Sequence, residues 1–213
     1  SRPTYLYHES ATPAPKPAPQ DNSIKPDIPS KPTPSSTSLL DEESMRDRID
    51  KFSLTPPEDD SIITIGNYTT PKPETWIWTP TKTQAVNVNY LVPNLKKDDQ
   101  ALFSATMFNK DEAENFAHYL GRAKSMFRTD DGAPVKPTIL VIPCNGRNAV
   151  LAEFNGEYMG AGAAWHLKNH ALLVVEVQEP DCKMYIKILG SKETVNAHRE
   201  AFIETVSKLQ PNN

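Results

Sequence analysis

The separation of proline from glycine is the feature that most limits how this chain folds. Of its 20 prolines, 14 lie at or before Pro80, whereas all 8 glycines lie at or after Gly66. Residues 1–38 hold short Pro-spaced units, "TPAPKPAPQ" and "IPSKPTPSS", with almost no apolar clusters. Such a stretch buries too little apolar surface to offset the entropy of ordering it. Proline keeps it locally extended, so it is expected to be a disordered, semi-rigid stalk. A ligand for a proline-binding groove is the sharper alternative. The expected organisation is a stalk over 1–38, a short helix and connection over 39–60, and one folded domain over 61–213.

Charge follows the same division. Residues 1–60 carry 7 Lys and Arg against 11 Asp and Glu, while residues 61–213 carry 16 of each. A folded part with no basic excess gives no footing on a phosphate backbone, so no nucleic-acid partner is expected. No apolar run reaches the 18 or so residues that span a bilayer. The sequence starts at Ser1 rather than Met. Either a signal segment has been removed or the sequence is a trimmed piece; with the stalk, an extracytoplasmic chain is expected: periplasmic, outer-membrane associated in the manner of a lipoprotein, or secreted. Cys144 and Cys182 each follow a turn-like position and are the candidates for one disulfide in such a compartment.

Within the folded part, "AVNVNYLV" alternates cleanly. Val86, Val88, Tyr90 and Val92 face one way, Asn87 and Asn89 the other, as in a half-buried strand. "SIITI", "TWIWTP" and "ALFSATMF" read as further strands, and four or five more are expected between Thr138 and Leu189. Asn155-Gly156 is the strongest hairpin signal, because a two-residue primed turn needs positive φ at both positions. A first short helix is expected over about Leu39–Phe52. A long helix is expected from Asn109, capped with Glu112 and running to Phe127, and another from Ser191 to Leu209. The fold class is therefore α+β: a mainly antiparallel sheet with two long helices packed on it.

The segments "ETWIWTP", "VNVNYLVP", "ALFSATMF", "FNGEYMG" and "YIKILGSKETVNAHREAFIETVSKL", in that order, resemble a family of extracytoplasmic bacterial proteins with a PsbP-like layered fold. The matching positions are Trp76, Val92-Pro93, Gly156 to Gly160, and Ile186 through Leu209. The family's Arg after the first of these strands has no counterpart in "TKTQAVN". The resemblance implies fold and compartment; it implies no chemistry.

Four groups of residues are candidates for a site. "NGEYMGAGAAWHLKNH" lacks the helix that a phosphate loop needs after its glycines, so Gly160 to Ala164 are expected instead to let backbone pass close to a neighbour or to form a mobile loop. His166 and His170 are four apart, but no third ligand is spaced for a metal. Cys144 before an Asn-Gly turn, with His166 or His170 as base, would make a thiol hydrolase. Trp76, Trp78, Tyr158 and Trp165 are candidates for a binding surface, the first two on one face of a strand. His198 lies on the apolar stripe of the last helix, where a hydrogen-bonded core histidine is commonest. Asp130-Asp131 reads as a solvated turn. The leading expectation is a non-enzymatic binding or assembly module with no cofactor, engaging a protein or cell-envelope component. The Cys144 hydrolase is the alternative.

Overall fold

A computed structural model describes residues 55–83, 86–160 and 166–212. The stalk, the expected helix over 39–52 and Trp165 lie outside the described residues.

Among the described residues every strand pair is antiparallel. β1 (Ile62–Ile65), β2 (Tyr68–Pro71) and β11 (Gln210–Pro211) form a small sheet in the order β1-β2-β11. The main sheet holds β3 (Ile77–Thr79), β4 (Val88–Pro93), β5 (Gln100–Asn109), β6 (Phe127–Arg128), β7 (Thr138–Cys144), β8 (Arg147–Tyr158), β9 (Leu167–Gln178) and β10 (Cys182–Ser191). Its order is β3-β4-β5-β10-β9-β8-β6, with β7 also pairing β8.

Period-two alternation gives this sheet two unlike faces. Val88, Tyr90 and Val92 of β4, Phe103 of β5 and Met184, Ile186 and Ile188 of β10 are buried on the first. They join one core cluster with Val195, Phe202 and Val206 from the C-terminal helices and Ile63 and Ile65 of the small sheet. The second face has its own cluster around Phe127, Phe154, Leu172 and Val174, with Phe116, Tyr119 and Leu120 packed against it from α1 (Phe116–Ser125).

The expectation of two long helices is wrong. The described residues hold three short ones: α1 with 10 residues, α2 (Lys192–Ala197) with 6 and α3 (Arg199–Ser207) with 9. Asn109 does bond Glu112, at 3.0 Å, but Asn109 itself pairs with Cys182 as the last residue of β5. The helix starts later, where Asn115 accepts a hydrogen bond from the Ala117 N–H at 2.8 Å. It ends before Phe127, which pairs with Tyr158 in the sheet. The C-terminal helix does begin at Ser191, whose hydroxyl caps the Thr194 N–H. It is interrupted at His198, which ends α2 and begins α3. The buried His198 ring bonds the Pro93 carbonyl through Nε2 at 2.9 Å and accepts from Trp76 Nε1 at 3.4 Å. The break occurs at the residue whose side chain is tied to the sheet edge.

Asn155-Gly156 is not a hairpin either. β8 runs through it without reversal. The two-residue turn is Asn145-Gly146, joining β7 to β8, with φ of 47° and 68°.

Candidate ligand groove

α1 covers the second face only over β8, β9 and part of β10. Over β4, β5 and the rest of β10 the face lies open as a groove of about 530 Å³. Strand register makes its floor. Asn89 of β4 is opposite Ser104 of β5, and Ser104 is opposite Lys187 of β10. Those three form a polar row straight across three strands. Two residues along, Leu91, Leu102 and Leu189 form a parallel row of leucines. One wall is Thr79, Pro80, Lys82 and Thr83; the other is Tyr158, Leu167 and His170. The Tyr158 ring stacks on His170, centroids 6.3 Å apart, and tilts against Phe127 at 5.2 Å.

Two members of the polar row are unusual. Asn89 is 6% exposed, and its Oδ1 has no hydrogen-bond partner among the described residues. A buried carbonyl oxygen left unpaired costs roughly 1–3 kcal/mol, so such atoms ordinarily have partners. Lys187 is half-buried, and burial, then repulsion from Arg122, holds its ammonium below the usual lysine range. Among the described residues no carboxylate lines the groove, whereas Lys82, Lys187 and His170 do. The floor is thus a leucine row beside a polar row in which, among the described residues, Asn89 Oδ1 has no donor and Lys187 forms no ion pair.

The aromatic candidates divide. Trp76 is 1% exposed and belongs to the core, its ring 4.9 Å from Phe103, and Trp78 packs against the same cluster. The two rings share a face, as the sequence suggested, and that face is the inner one; they form no exposed tryptophan surface. Tyr158 does line the groove. Gly160 lets the chain fold back over that ring, since a Cβ there would lie 2.3 Å from Tyr158 Cζ.

The Cys–His pairing is not assembled. Cys144 lies opposite Arg147 at one end of β8, and His170 opposite Gly156, nine residues along the same strand. That is a separation of roughly 30 Å. His166 meets the Arg128–Glu157 pair instead, its Nδ1 2.8 Å from Arg128 and 3.5 Å from Glu157. Cys144 is 2% exposed, and burial, then the nearby Glu179 carboxylate, pushes its thiol up to about 11. A nucleophile needs the reverse, an accessible thiolate. The disulfide is not formed: both cysteines are free and buried. β8 and β9 separate β7 from β10. Three strand steps amount to about 14 Å along the sheet, against roughly 4.4–6.8 Å between bridged Cα atoms. We expect a thiol titration of the native protein near neutral pH to find almost no fast-reacting sulfhydryl, and two after denaturation. Zero in both states would mean that Cys144 and Cys182 are bonded after all.

His166 and His170 bring no metal-binding group with them; among the described residues, no cluster of three His, Cys, Asp or Glu side chains is placed for a metal. Asp131 lies in a turn, its side chain bonded to Thr129. Among the described residues no helix is long and apolar enough to cross a membrane.

No protein-family model and no curated protein matches the chain. Among solved structures it is similar to the cyanobacterial PsbP protein CyanoP from Synechocystis sp. PCC 6803, at 12% identity and a TM-score of 0.46, over 75% of this chain and 97% of that one. A protein from Bacteroides thetaiotaomicron VPI-5482 is similar at 10% identity and a TM-score of 0.44; the match spans 71% of this chain and 47% of that longer one. PA94, a protein of unknown function from Pseudomonas aeruginosa, is similar at 15% identity and a TM-score of 0.43, over 71% of this chain and 96% of that one.

Proposed function

We propose that this chain is a non-enzymatic, extracytoplasmic binding or assembly module, carried on a Pro-rich stalk, that engages a protein or cell-envelope component through the groove on its main sheet. The observation that carries this reading is the unpartnered Asn89 Oδ1, buried in the floor of an otherwise largely apolar concavity. Ligand sites have that make-up: an apolar lining of roughly 300–1,000 Å³ with a few placed polar groups. The hydrolase alternative loses support because Cys144 of β7 and His170 of β9 pair with residues nine apart along β8. The extracytoplasmic placement rests on the composition of residues 1–38 and on the sequence resemblance.

The test uses N-phenylnaphthylamine, an uncharged fluorophore with one N–H donor. Titrated into the full chain, it should brighten with saturable one-to-one binding. Leu102→Glu, a charge placed on the partly exposed leucine row, should weaken that binding at least tenfold. Equal binding by the variant, or none by the parent protein, overturns the groove as the site.

A further inference from the structure

The floor of the groove specifies more than apolarity. Its leucine row and its polar row lie two residues apart on the same three strands, roughly 7 Å from each other. An occupant therefore needs an apolar body and a polar end side by side. The polar end meets a lysine, with Lys82 and His170 on the walls and no carboxylate among the described lining residues, so it is an anion. It also meets a buried carbonyl oxygen with nothing to accept from, so it carries a donor beside that anion. A simple hydrocarbon satisfies neither requirement, and a cation opposes the first.

Resting on the groove as the binding site, we propose that its ligand class is an amphipathic acyl carboxylate with an amide N–H or hydroxyl close to the carboxylate. The carboxylate pairs with Lys187 beside Ser104. The amide N–H or hydroxyl donates to Asn89 Oδ1. The acyl chain lies along Leu189, Leu102 and Leu91. An N-acyl amino acid has these three parts in this order. The half-buried ammonium of Lys187, held low by desolvation and by Arg122, regains its counter-charge when the anion arrives.

The experiment is displacement of N-phenylnaphthylamine from the full chain, below micelle-forming concentrations, by three amphiphiles of equal chain length: N-dodecanoylglycine, dodecanoate and dodecyltrimethylammonium. N-dodecanoylglycine should displace best, dodecanoate less well and the cation at least tenfold worse than either. Lys187→Met should weaken both anions at least tenfold relative to the cation, so that the charge preference of the groove is lost. Asn89→Ala should bring N-dodecanoylglycine down to the level of dodecanoate. Equal displacement by cation and anion overturns the proposal, as does unchanged anion affinity in Lys187→Met. The charge series on the parent chain decides the matter even where a variant fails to fold. If the fluorophore binds and neither anion displaces it, the ligand class is wrong and the groove stands; if the fluorophore does not bind, both fall.

Discussion

Replacing Phe103 with Ala should cost about 3–5 kcal/mol of folding stability, the range for deleting a fully buried aromatic ring. The ring is 0% exposed. It lies 4.9 Å from Trp76, 6.1 Å from Tyr90 and 6.2 Å from Phe202, all centroid to centroid. Those partners belong to the residue before β3, to β4 and to α3, so one ring joins the sheet edge to the C-terminal helix. Collapse into the void is hindered on every side. Trp76 is held by its bond to His198, Tyr90 by pairing with Trp78 across β3 and β4, and Phe202 by its helix. Domains of this size have only about 5–15 kcal/mol in reserve, so the variant should be marginal at 37 °C. Urea unfolding should show a much lower midpoint at an unchanged slope. Leu102→Ala is the control. Leu102 is the preceding residue on β5, faces the groove and is 38% exposed, so its truncation should cost under about 1.5 kcal/mol. Similar losses for the two would mean that the first face of the sheet is not the main core.

What the sequence reveals here is mostly what lies within one strand. The alternation of Val88, Tyr90 and Val92 with Asn87 and Asn89 is visible in eight consecutive letters, and the structure buries the first three in the core. The same alternation sets Met184, Ile186 and Ile188 inward and Lys187 on the other face. The groove has no comparable local signature. Asn89, Ser104 and Lys187 become a row only through the register of β4 with β5 and of β5 with β10. Asn89 and Lys187 do stand out as polar residues on the outward side of strongly apolar strands. That is the available signal, but nothing in a single strand says which half of a face α1 will cover.

The misread helices have a related cause. The apolar spacing from Ala113 to Phe127 is helical, but the sheet takes Asn109 at one end and Phe127 at the other, and pairing outcompetes helical continuation at both. At the C-terminus the apolar stripe passes through His198 unbroken. The interruption falls at the residue whose ring is hydrogen-bonded to Pro93 and Trp76, 105 and 122 positions away. The Cys144–His170 pairing fails for a converse reason. Composition offers two reactive residue types, while the strand between them holds them apart.

The two Asn-Gly dipeptides supply the second large effect, because identical letters occupy opposite environments. Gly156→Ala should cost about 3 kcal/mol, combining backbone strain with a steric conflict. At Gly156 φ is +157°, and an added Cβ would lie 2.3 Å from the Arg128 carbonyl oxygen and 3.2 Å from Val135 Cγ1. The first obstacle is backbone, in β6, which is fixed by the pairing of Phe127 with Tyr158 and Arg128 with Glu157. Relief requires β6 to move away from β8, which strains the register shift between Gly156 and Tyr158 and disturbs the 2.7 Å Arg128–Glu157 ion pair. Gly146 has the more obviously left-handed backbone, φ +68°, yet nothing lies within 4 Å of its Cβ position. Gly146→Ala therefore pays only the left-handed penalty of about 1–2 kcal/mol. Thermal or urea unfolding of the two variants should rank Gly156→Ala well below Gly146→Ala. Because β6 leads from α1 and β8 leads to Tyr158, Gly156→Ala should also loosen the Tyr158 wall and weaken N-phenylnaphthylamine binding, whereas Gly146→Ala, at the far end of β8, should leave binding unchanged. The reverse ranking would show that the hairpin turn, and not the close approach of β6, is what requires glycine in this sheet.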